Sequence, residues 1–153
     1  HLEYIMALSP DAVLLSGGND LGQVPERDRL ERELLNHAAE HYLPVLGICR
    51  GMQMINHYLG GDLHPVSGHV AVRHRVNGPL VGPGGREVNS YHDKGVLDNY
   101  IGDDLQAVAW SNDGVVEGLR HRKWPWVGIM WHPERDEPVA EADRDLIRSC
   151  LTG

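Results

Sequence analysis

The nine residues Val45-Leu46-Gly47-Ile48-Cys49-Arg50-Gly51-Met52-Gln53 leave this chain few ways to fold. Val45 to Ile48 is a short, partly β-branched apolar run, the pattern of a strand buried in a parallel sheet, and Met52, Ile55 and Leu59 then recur at helical spacing. Cys49 is thereby set at a strand-to-helix turn, with a glycine two positions away on each side. In the serine version of this device, G-x-S-x-G, a strained turn exposes the nucleophile and the glycines let strand and helix approach closely. A helix starting at Arg50 would aim its unpaired N–H groups and positive dipole end at the sulfur, favouring thiolate and an oxyanion beside it. The competing reading is a buried core cysteine, the common location of free thiols.

The flanking segments frame that turn. Ala12-Val13-Leu14-Leu15 reads as a short buried strand after the Pro10-Asp11 turn, and it runs into Ser16-Gly17-Gly18-Asn19-Asp20. Ligands of open α/β sheets bind beyond the carboxyl ends of strands, where a glycine pair can offer bare N–H groups to an anion. A plain tight turn is the alternative. Pro25 stands just inside a helix start with Glu26 and Asp28 in the first turn, and Leu30, Leu34, Leu35, Ala38 and Tyr42 fall on one face. Pro44 ends that helix, so residues 12–48 form a strand-helix-strand unit with a parallel, right-handed crossover. The helix after Cys49 should stop at Gly60-Gly61.

Beyond it the pattern loosens into the basic group Arg73-His74-Arg75, where alternation up to Val76 and the Asn77-Gly78 pair suggest a hairpin in competition with a solvated loop. Glu87 to His92 reads as a strand entering a polar loop. Leu105 to Trp110 and Val115 to Leu119, joined at Asn112-Asp113-Gly114, form the clearest antiparallel hairpin, expected to serve as scaffold. A basic loop, His121-Arg122-Lys123-Trp124-Pro125, precedes a buried strand from Trp126 to Trp131 that ends in His132-Pro133-Glu134, with His132 and Glu134 on one side of the chain. Glu137 to Leu151 should form the last helix. The pattern is α/β: an open, mostly parallel sheet with an added antiparallel hairpin.

The 153 residues fit one globular domain, and a formal charge of -8 without runs of like charge argues against a nucleic-acid partner. Cys49 and Cys150, the two cysteines, suit a reducing compartment and not a disulfide framework, and Cys150 reads as inert. No apolar run approaches membrane-spanning length and no signal-peptide pattern opens the sequence, so the expectation is a cytoplasmic protein with no membrane partner. No metal is expected, because the histidines show no ligand pair beside a second cluster. His37 and His41 are four apart but on the expected solvent side of their helix.

A thiol at an elbow, a glycine pair at a neighbouring strand end and an imidazole two positions before a carboxylate at a third are the parts of a cysteine hydrolase. Gly47-Ile48-Cys49-Arg50-Gly51-Met52-Gln53 together with Gly128-Ile129-Met130-Trp131-His132-Pro133-Glu134 resembles the class I glutamine amidotransferase superfamily. Ser16-Gly17-Gly18-Asn19-Asp20, Arg27-Asp28 and Asn89-Ser90-Tyr91-His92 resemble signatures of its γ-glutamyl hydrolase branch, peptidase C26. The resemblance implies a flavodoxin-like sheet with helices on both faces, Cys49 as nucleophile, His132 as base and Glu134 as its orienter. It also implies oxyanion donors at the Gly18 and Arg50 backbone, and a glutamyl head group held by Gly17, Gln53, Asn89, Ser90, Tyr91 and His92. No cofactor is implied, the partner is a small γ-glutamyl substrate, and a homodimer is left open.

Branch members carry a second histidine and a glutamine where this chain has Asp93 and Lys94, which bears on the leaving-group side. They also have a strand ahead of the Ala12 strand, so residues 1–153 are expected to form a single domain lacking its first strand. Cys49-Arg50-Gly51 resembles γ-glutamyl-γ-aminobutyrate hydrolases more than the ammonia-feeding members, which carry G-x-C-L-G. The reading is therefore a hydrolase that frees glutamate from a small conjugate through a γ-glutamyl thioester; the alternatives are a glutaminase that feeds a synthase and a non-catalytic binding member. The two basic segments are expected near the site, where they would hold an anionic leaving group. Trp131 to Arg135 resembles homologues that act on a γ-glutamyl nucleotide amidate, which Trp124 would stack against.

Overall fold

The computed structural model describes residues 2–152. Its elements run α1 (Leu2–Ala7), β1 (Val13–Leu15), α2 (Pro25–His41), β2 (Val45–Ile48), α3 (Arg50–Tyr58), β3 (His64–Pro65), β4 (Val70–Asn77) and β5 (Arg86–Tyr91). Then follow β6 (Lys94–Gly95), β7 (Leu105–Ser111), β8 (Val116–His121), β9 (Trp126–Ile129) and α4 (Glu141–Leu151). Seven strands make one mixed sheet in the order β1-β2-β9-β8-β7-β4-β5, while β3 and β6 pair in a separate small ribbon. This is the flavodoxin-like α/β arrangement expected, with its parallel part confined to β1, β2 and β9. The four pairings from β9 to β5 are antiparallel, a larger share than one added hairpin.

Two of those hairpins were visible as sequence patterns. The Asn112-Asp113-Gly114 turn joins β7 to β8, and β4 pairs with β5 across the loop that opens at Asn77-Gly78. Arg73-His74-Arg75 therefore lies in a strand and not in a solvated loop, because its backbone is taken up by Asn89, Val88 and Glu87 opposite. Tyr42, expected on the buried face of α2, is 62% exposed. It caps the helix in the left-handed conformation and leaves Leu43 to bond back to the Ala38 carbonyl. The last helix starts at Glu141, after Pro138.

The register aligns the strand ends. Val13 pairs with Val45 and Leu15 with Gly47 on one side of β2, while Val45 pairs with Trp126 and Ile48 with Ile129 on the other. Ser16-Gly17, Cys49 and Met130 to His132 thus leave the sheet along one edge, the crevice edge of an open α/β sheet. All of β2 and β9 is buried, as continuous apolar strands in a parallel layer should be. Helix α3 packs on β1, β2 and β9, and α2 on α3. The elbow glycines permit this closeness: a Cβ on Gly51 would stand 2.1 Å from the Leu15 carbonyl oxygen, and one on Gly47 2.5 Å from the Gly51 carbonyl carbon.

Candidate active site

Cys49 sits between β2 and α3 with φ 53° and ψ -104°, a conformation that costs a non-glycine residue roughly 1–3 kcal/mol and that a nucleophile elbow requires. Its backbone N–H donates to the Ile129 carbonyl at 2.7 Å and its carbonyl accepts from Gln53 at 3.1 Å, so strand and helix both fix the turn. The expected thiolate is not the resting form. Burial pushes the thiol up to about 11, and the Arg50 backbone N–H at the sulfur and the Arg135 charge offset only part of that. The helix-end effect is thus present but smaller than the desolvation, and the thiol needs a base.

His132, expected as the base, follows β9 at this same edge. Its ring is buried, and Nδ1–H donates to Glu134 Oε1 at 2.6 Å, which leaves the Nε2 lone pair free. Its backbone is clamped by one side chain: Asn89 accepts from the His132 N–H at 2.8 Å and donates to the His132 carbonyl at 2.7 Å. Asn89 also donates to Asp136, which in turn accepts from Arg73. Arg135 lies 4.2 Å over the Tyr91 ring, and Tyr91 meets His132 edge-on.

The glycine pair has two separate reasons. A Cβ on Gly17 would press to 2.8 Å from the His132 ring, and Gly18 has φ 143° with the Arg27 guanidinium against its Cα. Arg27 donates to the Ser16 and Gly17 carbonyls and to Glu31, tying the loop to α2. Glu31 also receives Arg50, whose buried guanidinium forks to Asp28 as well. The Arg27-Asp28 and Cys49-Arg50-Gly51 motifs are therefore two halves of one ion network beneath the elbow.

A cleft of about 240 Å³ opens on Cys49, lined by Gly18, Asp20, Arg50, Gln53, Val70, Tyr91, His92 and Asp93. A larger hollow of about 860 Å³ between α1 and the start of α2 holds no nucleophile beside a base. Of the residues expected at a head group, Gln53, Tyr91 and His92 line the cleft, as do Gly18 and Arg50, expected as oxyanion donors, while Gly17 adjoins Gly18. Asn89 and Ser90 are turned inward, Ser90 donating to the His69 carbonyl at 2.7 Å. Gln53 donates to the Lys94 carbonyl at 3.1 Å, and Lys94 bridges at 3.0 Å to Asp20 on the other side of the cleft.

The two basic segments lie in different places. Arg73 is engaged by Asp136 and Glu87. His121 and Trp124 stack at 4.4 Å beside Trp126, at the start of β9, and the Pro125 carbonyl accepts from Val45 at the start of β2. Cys49 and His132 follow the other ends of these strands, so a β9 of four residues, about 13 Å at 3.3 Å per residue, separates Trp124 from the site. Trp124 cannot stack a ligand there.

A polar cluster also lies where only scaffold was expected. Glu117, fully buried in β8, faces His69 Nδ1 and His92 Nε2 at 3.3 Å each and His74 Nε2 at 3.5 Å. Burial works against the Glu117 charge, but the surrounding imidazoles outweigh it and hold the carboxyl well below its usual range. Contact with Glu117 in turn pushes His69 up to about 9, against the effect of its burial. A glutamate inside the apolar run Val115 to Leu119 was the signal available in the sequence.

Among known proteins, the family model for peptidase C26 matches residues 5–134. The chain is 34% identical over 131 residues to a γ-glutamyl-CDP-amidate hydrolase of Campylobacter jejuni, covering 82% of this chain and 62% of that protein. A glutamine amidotransferase-like protein of Lactococcus lactis, YvdE, is 30% identical over 94% of this chain and 74% of its own length. In structure the chain matches a protein of Thermoplasma acidophilum described as part of a GMP synthase, with TM-score 0.77 and 23% identity over 93% of this chain and 71% of the other. That last likeness concerns the fold alone.

Proposed function

The chain belongs to the peptidase C26 family, and we propose on that premise that it is a cysteine-dependent hydrolase cleaving the γ-glutamyl amide bond of a small conjugate to release glutamate. The observation that carries this reading is Cys49 at positive φ on the strand-end edge where Glu134 orients His132. The Nε2 lone pair of His132 takes the thiol proton as sulfur attacks the γ-carbonyl, since burial keeps the thiol protonated at rest. The oxyanion is received by the Arg50 N–H, at the start of α3, and by the Gly18 N–H. His132 then gives its proton to the leaving amine, leaving a γ-glutamyl thioester. Water, deprotonated by His132, hydrolyses that thioester to glutamate and free thiol.

The leaving group is the open side of the cleft. Its rim carries Asp20 and Asp93, and Lys94 bridges to Asp20. The relative from Campylobacter jejuni supports a γ-glutamyl nucleotide amidate as substrate, although the present chain spans 62% of that protein. The deciding assay measures glutamate release from L-glutamine, γ-glutamyl-aminobutyrate and a γ-glutamyl nucleotide phosphoramidate in parallel. Preference for either conjugate over glutamine is expected. A preference for glutamine that rises on adding a synthase partner would overturn the hydrolase reading.

A further inference from the structure

We propose that His69, His92 and Glu117 form a buried three-ligand site for a divalent transition ion of the zinc type. The site is separate from the thiol chemistry and stands whether or not the hydrolase reading does. Its ligand atoms are His69 Nδ1, His92 Nε2 and a Glu117 carboxylate oxygen, which lie within 4.8 Å of one another.

The outer hydrogen bonds fix which ring nitrogens face inward. His69 Nε2–H donates to the Asp113 carboxylate at 2.8 Å, and His92 Nδ1–H donates to the Lys94 carbonyl at 2.9 Å. In neutral rings the opposite nitrogens then carry lone pairs, and both point at Glu117. A carboxylate or carbonyl holding the far N–H is the usual support of a metal-bound imidazole. The inward atoms are orphaned: His69 Nδ1, His92 Nε2, His74 Nε2 and both Glu117 oxygens lack a hydrogen-bond partner.

Protons alone account for this poorly. A charge-assisted N–H···O bond draws its atoms to about 2.7–2.9 Å. The His69 and His92 contacts with Glu117 are 3.3 Å and misaligned. That distance is instead the edge of a tetrahedron of ligands about 2.0–2.1 Å from a central ion, which is about 3.3–3.4 Å. Imidazole and carboxylate together suit zinc, and three protein ligands leave the fourth tetrahedral position to water. It would tie β8 to the residue preceding β4 and the residue following β5 behind the cleft, where His92 supplies a route for the ion.

The test titrates the chelator-stripped chain with Co²⁺ and Zn²⁺, reading visible d–d absorption, bound metal after desalting, and Tm. Expected are about one ion per chain and a Tm rise of about 5–10 °C at a hundredfold excess over Kd. Cys49→Ala should retain the ion, with no thiolate-to-cobalt band in the unaltered chain. Asp113→Asn, at an exposed turn, should weaken binding about 10–100-fold, and Glu117→Gln should abolish it. If Glu117→Gln does not fold, the unaltered chain and Asp113→Asn decide. Absence of binding by the unaltered chain, binding lost in Cys49→Ala, or affinity unmoved in Asp113→Asn would each overturn the site.

Discussion

At the scale of single residues, the account turns on a thiol that is both strained and protonated. Cys49 was legible from its spacing to Gly47 and Gly51, but its charge state was not. A helix N-terminus reads as thiolate-favouring from sequence, whereas desolvation depends on how completely β2, β9 and α3 close around the sulfur. Because burial pushes the thiol up to about 11, Cys49 holds little thiolate near neutrality. Alkylation of Cys49 by iodoacetamide, followed by mass spectrometry of its peptide, should accelerate roughly tenfold per pH unit from pH 7 to 10. A rate that levels off below pH 8 would mean a thiolate–imidazolium pair at rest and would remove proton transfer to His132 from the attack step.

Among the elements, the strand-helix-strand unit and the β7–β8 hairpin were readable because local period and turn chemistry agree with the tertiary structure. The ion network joining α2 to α3 was not, since nothing local pairs Glu31 with Arg50 nineteen positions on. Nor was the distance of Trp124 from the site, which follows from which end of β9 a loop leaves. Glu31 is shared by Arg27 and Arg50. Glu31→Gln leaves the Arg50 guanidinium, 1% exposed, short of a charge partner. Breaking a buried pair in this way costs about 3–5 kcal/mol, moderated here by Asp28. Urea unfolding should show a lower midpoint at unchanged slope, and Glu31→Asp should recover part of it. An unchanged midpoint would mean that the network does not hold the elbow.

Taken as a whole, the molecule gathers Cys49, Gly17-Gly18 and His132 at one edge of its parallel strands, and side chains of the antiparallel wing reach that edge. Asn89 of β5 clamps the His132 backbone, and Glu117 of β8 gathers three imidazoles behind the cleft. The hairpin that looked like scaffold is therefore tied to the site through side chains whose neighbours lie far away in sequence, and periodicity carries no such information. The central claim is covalent and can be tested as such. The chain is mixed with a γ-glutamyl conjugate, quenched in acid during turnover, digested, and its peptides weighed. The account predicts an adduct one γ-glutamyl group heavier on the peptide containing Cys49, removed by hydroxylamine and absent from Cys49→Ala, which should also lose at least about 10³-fold in turnover. Glutamate release that persists in Cys49→Ala, or an adduct on Cys150 in its place, would contradict it.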